Sequence, residues 1–351
     1  MLVMSQHIED GLVWISATDQ RFTVNGLPWF EENGREFIRL PKRAQGVVRD
    51  PVWDLSVMPS GGRVRFRTDS TTLKLRVQHR RSEIAMPHMC AVGCSGIDLY
   101  EGPPRRMVYW KSNTLIEAGK AYVNAYFKEL PRKRREFTLY LPTYNDLARL
   151  EIGLDPDATI QSPTRFRLAR PVVFYGTSIT QGGCATRPGM GHVPMLGRRL
   201  GVDVVNLGFS GNGKSDLKVA DLITEIDAAC CVNDCTANMD LPGMQERYAA
   251  FNERLRARRP RTPLLLLTAI RFAAENFARD AQRDEVNARV IDTYRQFRRR
   301  SDKHVHFLDC RKIIGFEADH PSVEGVHLTD LGYQRLTDGL APVLRKLLKL
   351  S

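Results

Sequence analysis

Residues 171–183 read PVVFYGTSITQGG: a proline, an apolar run, then a small polar turn rich in glycine. A short apolar run bounded by turn residues has the form of a fully buried strand. Four more follow: VDVVNL at 202–207, AACCV at 228–232, PLLLLT at 263–268 and HVHFL at 304–308. Apolar residues recur at helical spacing over 192–200, 215–227, 243–259, 280–300 and 330–350. Strands alternating with helices predict a doubly wound parallel α/β sheet of five strands. Ligands of such sheets bind beyond the C-terminal strand ends, so chemistry is expected in the segments that follow each run.

Upstream the period falls to two. Val64 and Phe66 alternate with Arg63, Arg65 and Arg67, and Leu73, Leu75 and Val77 alternate with Lys74 and Arg76. That pattern predicts half-buried antiparallel strands with one charged face. PSGG at 59–62 and TDSTT at 68–72 read as turns, and further short strands are expected near 107–110, 121–127, 136–141 and 148–154. Many short strands with little helical period predict a β-sandwich, jelly-roll-like. The change of period divides the chain near residue 168 into a sandwich over 1–167 and an α/β domain over 168–351.

Composition sets outer bounds. At 351 residues the chain exceeds what one core usually supports. Apolar residues make up 42% and charged residues 26%, an ordinary globular balance. No apolar run reaches the roughly 18 residues of a membrane span. The start, MLVMSQHIEDG, meets two acids before any long apolar stretch, which is not the form of an export leader. The seven cysteines are an odd number, so a reducing, cytoplasmic setting is expected rather than a disulfide framework. His88, Cys90 and Cys94, or Cys231 and Cys235, invite a metal reading, but no CxxC pair supports one.

The net charge of +12 raises nucleic acid as a partner. The excess is spread evenly: 25 Lys+Arg against 19 Asp+Glu before residue 168, and 27 against 21 after it. The clusters Arg254–Arg261 and Arg298–Arg300 end helical segments, where cations suit the helix dipole. Neither a basic arm nor a basic-aromatic motif is present, so no nucleic-acid or membrane partner is expected.

Four strand ends carry candidate groups. Ser178 follows the first run in GTSITQGG, where it is either a nucleophile at a strand-to-helix turn or a helix cap. The second run leads to GFSGNGKS at 208–215, which fits the phosphate-cradling GxxxxGK[ST] loop, with Lys214 for phosphates, Ser215 for a metal and Asp234 as downstream acid. The same glycines are equally suited to bringing backbone N–H groups to an oxyanion. The third run leads to Asn233 and Asn238, either of which can donate a side-chain amide. The last segment, DHPSVEGVHLTDLG at 319–332, places an acid three residues before His327. One turn can hold such a pair, the acid orienting the imidazole. Serine, glycine loop, asparagine and acid-x-x-His, in that order, supply a nucleophile, two kinds of oxyanion donor and a base.

With these residues the chain resembles the SGNH (GDSL-type) hydrolase superfamily. GTSIT at 176–180 is similar to its first block, GFSGNG at 208–213 to its second, DCTANM at 234–239 to its third and EGVHLTDLG at 324–332 to its fifth. Within it, the chain looks like the branch with a sandwich carrying a Gly-x-Asp-Leu-Tyr signature, here Gly96-Ile97-Asp98-Leu99-Tyr100. The resemblance implies a three-layer, flavodoxin-like hydrolase domain after the sandwich. It also implies Ser178 as nucleophile, His327 as base, and Ser178, Gly211 and Asn238 as oxyanion donors. Thr177 and Glu324 stand where the wider family has Asp. Glu324 is therefore the implied acid, with Asp319 as the alternative. The loop 208–215 then serves as the oxyanion loop rather than a nucleotide site.

The implied activity is hydrolysis of a small acyl ester, acetyl above all, on a carbohydrate or other polyol, with no cofactor and no metal. Transfer of the acyl group to an alcohol is the alternative, and a non-catalytic carbohydrate-binding protein a further one. The sandwich is expected to wall an otherwise shallow site and to offer a surface for homo-oligomers. Arg187 is read as a substrate contact or a structural ion pair.

Overall fold

The computed structural model describes residues 8–351. The reading of the start as no leader rests on residues 1–11, of which 1–7 lie outside the described residues. The first part is two antiparallel sheets. β1 (Ile8–Glu9), β2 (Leu12–Ser16), β3 (Thr23–Asn25), β4 (Arg63–Thr68), β5 (Leu73–His79), β6 (Asp98–Glu101), β7 (Val108–Ser112), β8 (Tyr122–Phe127), β9 (Arg135–Tyr140), β10 (Leu147–Leu154) and β11 (Ile160–Gln161) supply them. One sheet runs β1-β2-β10-β5-β8; the other runs β11-β4-β9-β6-β7, with β3 also on β4. Their inner faces, among them Val64, Phe66, Leu73, Leu75, Val77, Phe137 and Leu139, close into one core.

One face of β4 departs from expectation. Arg63 and Arg65 alternate with the core residues, yet both are buried. The charged face does not meet water: the second part of the chain covers Arg63, and Glu136 with the segment leading out of the sandwich covers Arg65. Arg63 pairs with Asp203 and donates to the Val204 carbonyl, while Arg65 donates to Glu136 and to the Thr164 carbonyl. The Phe166 ring lies against both guanidiniums. Arg63, paired and hydrogen-bonded across the boundary, ties the sandwich to its neighbour.

The second part is the expected parallel sheet. β12 (Val172–Gly176), β13 (Val204–Gly208), β14 (Cys230–Asp234), β15 (Leu264–Leu267) and β16 (Val305–Leu308) lie in the order β13-β12-β14-β15-β16. Helices His192–Leu200 and Asp330–Leu347 pack one face. Leu217–Glu225, Ala249–Arg258 and Ala281–Arg299 pack the other. Trp29, Leu40, Val48 and Val52, ahead of β4, share that second core. β13 is an edge strand, and the sandwich side covers it: Gly61 lies against Asn206, and buried Arg39 donates to the Asn206 and Gly208 carbonyls. Among the described residues no helix is long and apolar enough to cross a membrane.

Candidate active site

β12 ends at Gly176, and a one-turn helix, Ser178–Gln181, starts at once. Thr177 is its cap: its hydroxyl accepts from the Ile179 N–H at 3.2 Å, and its own N–H donates to Thr180 Oγ1 at 3.2 Å. Thr177 thus takes the capping role that the sequence also allows for Ser178. Ser178 sits at the first helical position, and its N–H has no partner among the described residues.

Ser178 Oγ lies 2.8 Å from His327 Nε2, and His327 Nδ1 lies 2.5 Å from Glu324 Oε1. The neutral tautomer that satisfies both contacts carries its proton on Nδ1 and accepts the Ser178 hydroxyl at Nε2. Glu324 also accepts from the His327 backbone N–H at 3.1 Å. Burial pushes the Glu324 carboxyl up, but the two hydrogen bonds from His327 outweigh this and hold it below its ordinary range. The longer glutamate therefore reaches the imidazole; Asp319 is absent from this chain of contacts. Gly183 makes room, since a Cβ there would stand 3.2 Å from the His327 ring and 3.0 Å from the Tyr144 hydroxyl.

The loop after β13 folds over the same turn. The Phe209 N–H donates to the Gly176 carbonyl, and the Ser210 N–H to Gln181 Oε1. Gly211 has a φ of +66°, a conformation L side chains rarely adopt, and its N–H has no partner among the described residues. Asn238 Oδ1 accepts from the Gly213 N–H at 3.3 Å, and its amide N–H groups have no partner among the described residues. Asn233 is used elsewhere: it is buried, bonded to Asn252 at 2.9 Å and to the Cys235 N–H.

The same loop does not serve a nucleotide. The Ser215 hydroxyl is buried against Cys235 Sγ at 3.3 Å, unavailable to a metal. Asp216 stands at the N-cap position of the following helix, its carboxylate paired with Arg49, which sets an acid where phosphates would sit. Asp234 is turned to the Thr180 hydroxyl at 2.8 Å, and burial pushes its carboxyl up to about 7.

Beside His327 opens a cavity of about 330 Å³. Leu55, Met58, Met86, Met89 and Tyr144 line it from the sandwich side, and Gly183, Ser210 and Asn212 from the other. The sandwich does wall the site. The signal in the sequence was weak, because Leu55, Met86 and Met89 lie in segments without a clear period. A larger cavity, about 450 Å³, lies between Arg35, Arg80 and Glu151 in the sandwich and includes none of the residues above. Arg187 points away from the cleft: it pairs with Asp98 at 2.8 Å and lies over the Tyr109 ring at 3.7 Å. All seven cysteines are free, and neither sequence-suggested cysteine group gathers as a metal set.

Comparison with known proteins follows the same lines. Residues 169–345 match the model of the GDSL-like Lipase/Acylhydrolase family, and residues 12–160 match that of the N-terminus of Esterase_SGNH_hydro-type proteins. A GDSL-like lipase structure from Bacteroides ovatus is 27% identical with a TM-score of 0.88, over 97% of this chain and 99% of that one. The salicylyl-acyltransferase SsfX3 from a tetracycline biosynthetic pathway is 19% identical with a TM-score of 0.80, over 98% and 99%. A family two carbohydrate esterase from Cellvibrio japonicus is 12% identical with a TM-score of 0.66, over 96% and 98%. No curated protein matches. With half its length in that family model and the sandwich in the companion one, the chain belongs to the GDSL-like lipase/acylhydrolase family, as an SGNH hydrolase with a GxDLY N-terminal domain.

Proposed function

We propose that the chain cleaves a short acyl ester of a carbohydrate or other polyol through Ser178. The observation that carries this reading is the unbroken chain Glu324–His327–Ser178, whose serine N–H has no partner among the described residues. Ser178 Oγ attacks the ester carbonyl carbon as His327 takes its proton. The oxyanion forms against the Ser178 and Gly211 N–H groups and the Asn238 amide. His327 gives its proton to the leaving alcohol, and water, deprotonated in turn by His327, releases the acid. Glu324 holds the imidazole and stabilises its cation. The apolar wall of Leu55, Met58 and Met86 suits the acyl group, and Asn212 and Ser210 offer partners for hydroxyls. The fold it shares with a carbohydrate esterase is consistent with a polyol as the alcohol.

Release of p-nitrophenol from p-nitrophenyl acetate, followed by a panel of acetylated sugars, tests the reading. Ser178→Ala should abolish turnover without loss of fold. Undiminished turnover in that variant would leave no role for the serine. Transfer of the acyl group to an alcohol is the second reading, consistent with the fold shared with the salicylyl-acyltransferase. Product analysis with added polyol separates the two, since transfer yields a new ester and hydrolysis the free acid.

A further inference from the structure

His88, Cys184 and His327 come from three separate segments, yet each places one ligand atom within 4.8 Å of the other two. His88 lies on the tight turn between Met86 and Met89, whose backbones bond each other in both directions. Its ring faces that of His327, with centroids 5.5 Å apart, and has no hydrogen-bond partner among the described residues. Cys184 sits directly after Gly183 with a φ of +67°, a backbone conformation uncommon for a side-chain-bearing residue. Its thiol donates to the His88 carbonyl at 3.2 Å, which fastens the turn over the site.

We propose that His88, Cys184 and His327 bind a zinc-class divalent cation, and that the bound ion switches the hydrolase off by occupying its base. Two imidazoles and a thiolate are ligands of borderline and soft character, which suit Zn²⁺ and not Mg²⁺ or Ca²⁺. Ligand atoms in a tetrahedral zinc site stand roughly 3.5 Å apart, so the triplet has only to close by about 1 Å, within reach of side-chain rotation. Three protein ligands leave a fourth position to the solvent of the cleft.

Glu324 strengthens the case. With Nδ1 of His327 held by that carboxylate, Nε2 is the nitrogen left for a metal. A carboxylate behind a ligating imidazole is the arrangement that orients histidines on zinc. On binding, the Cys184 thiol releases its proton to solvent and the sulfur takes the metal. The Nε2 lone pair then goes to the ion, Ser178 keeps its proton, and attack stops. Cys90 is not part of the set: it caps the helix Ala91–Ser95 and contacts the Thr186 carbonyl.

The inhibitory half rests on His327 as the base; the binding half does not. The test therefore uses two readouts on the full chain carrying Cys90→Ser. Co²⁺ should give a thiolate charge-transfer band at one ion per chain, and Zn²⁺ titration calorimetry should give a matching site. Cys184→Ser should abolish the band, and His88→Asn should weaken Zn²⁺ binding about tenfold or more. Hydrolysis of p-nitrophenyl acetate should fall over the same Zn²⁺ range and return with EDTA. In His88→Asn the inhibition, relative to that variant's own metal-free rate, should move to higher Zn²⁺. No band, or a band that survives Cys184→Ser, overturns the site. Full hydrolysis with the site saturated overturns the switch. A chain that gives the band but cleaves no ester upholds the site and overturns the hydrolase reading instead.

Discussion

The Asp98 carboxylate accepts a hydrogen bond from the Arg187 guanidinium at 2.8 Å, joining the sandwich to the loop that follows the nucleophile. Asp98 is fully buried and also accepts from the Gly189 N–H at 2.7 Å and the Ser112 hydroxyl at 2.6 Å. Tyr100, two residues on, meets Arg187 at 2.6 Å through its hydroxyl. The Gly-x-Asp-Leu-Tyr signature is thus a clamp on residues 187–189, and through them on the path from Ser178 to the helix His192–Leu200. Asp98→Asn removes the charge and leaves Arg187 inside without a counter-ion. Breaking such a pair costs about 3 kcal/mol. Denaturant unfolding should show that loss, with a parallel fall in kcat/KM; a variant of unchanged stability would refute the clamp.

Asn238 is expected to act only once charge has developed on the substrate. Asn238→Ala should lower kcat by about 10²–10³-fold with little change in KM. Steady-state kinetics on p-nitrophenyl acetate checks this. A twofold effect would remove Asn238 from the oxyanion site. Asn233→Ala should instead lower stability, because Oδ1 of its partner Asn252 would be left buried and unpaired.

Glu324→Gln should lower kcat by about 10²-fold or more, because the amide no longer favours the imidazole cation. Asp319→Asn should stay within about twofold of the parent, and the reverse outcome would exchange their roles. Stability supplies a second check. The native Glu324 carboxyl titrates below its ordinary value, so it stabilises the fold above the unfolded value of about 4.3. That gain is lost as pH falls through the lowered native value. The Tm difference between parent and Glu324→Gln should shrink in the same acid range and vanish below it.

The Lys214 ammonium makes no hydrogen bond or ion pair among the described residues, and the loop around it buries Ser215 and pairs Asp216 with Arg49. Lys214→Ala should keep most esterase activity, and isothermal titration should show no ATP binding to either protein. A nucleotide titration saturating at one site would reinstate the phosphate-loop reading.

How far the sequence reaches depends on the range of the forces involved. Ser178, Asn238 and His327 are legible because each lies in a segment that follows a strand of the parallel sheet, and such a sheet gathers its strand ends on one side. The alternation in β4 shows that its faces differ but not what lies against them, so Arg63 and Arg65 read as solvated although they are buried. His88 and Cys184 are 96 residues apart, and nothing local marks them as neighbours. Their meeting depends on how the sandwich docks on the edge strand β13. The Thr177 cap and the reach of Glu324 are matters of a few ångströms that residue spacing allows without choosing.

Asp234 carries the clearest pH signature in the structure. Burial raises its carboxyl to about 7, against the Thr180 hydroxyl, and among the described residues no Lys or Arg is paired with it. The nearest ring, His192, is itself buried and pushed down to about 3, so it stays neutral where Asp234 titrates. An acid with a raised native pKa destabilises the fold over the interval in which the unfolded chain has ionised and the native one has not. The penalty is absent below about pH 3.9, grows up to about pH 7 and is constant above that; at about 1.4 kcal/mol per pKa unit it is at most about 4 kcal/mol. Asp234→Asn carries no charge and keeps an acceptor for Thr180. Its Tm should therefore exceed the parent's at neutral pH, with the gain disappearing as the pH is lowered to about 4. Thermal melts of both proteins across that range give the comparison, and a gain that does not vary with pH would place the titration elsewhere.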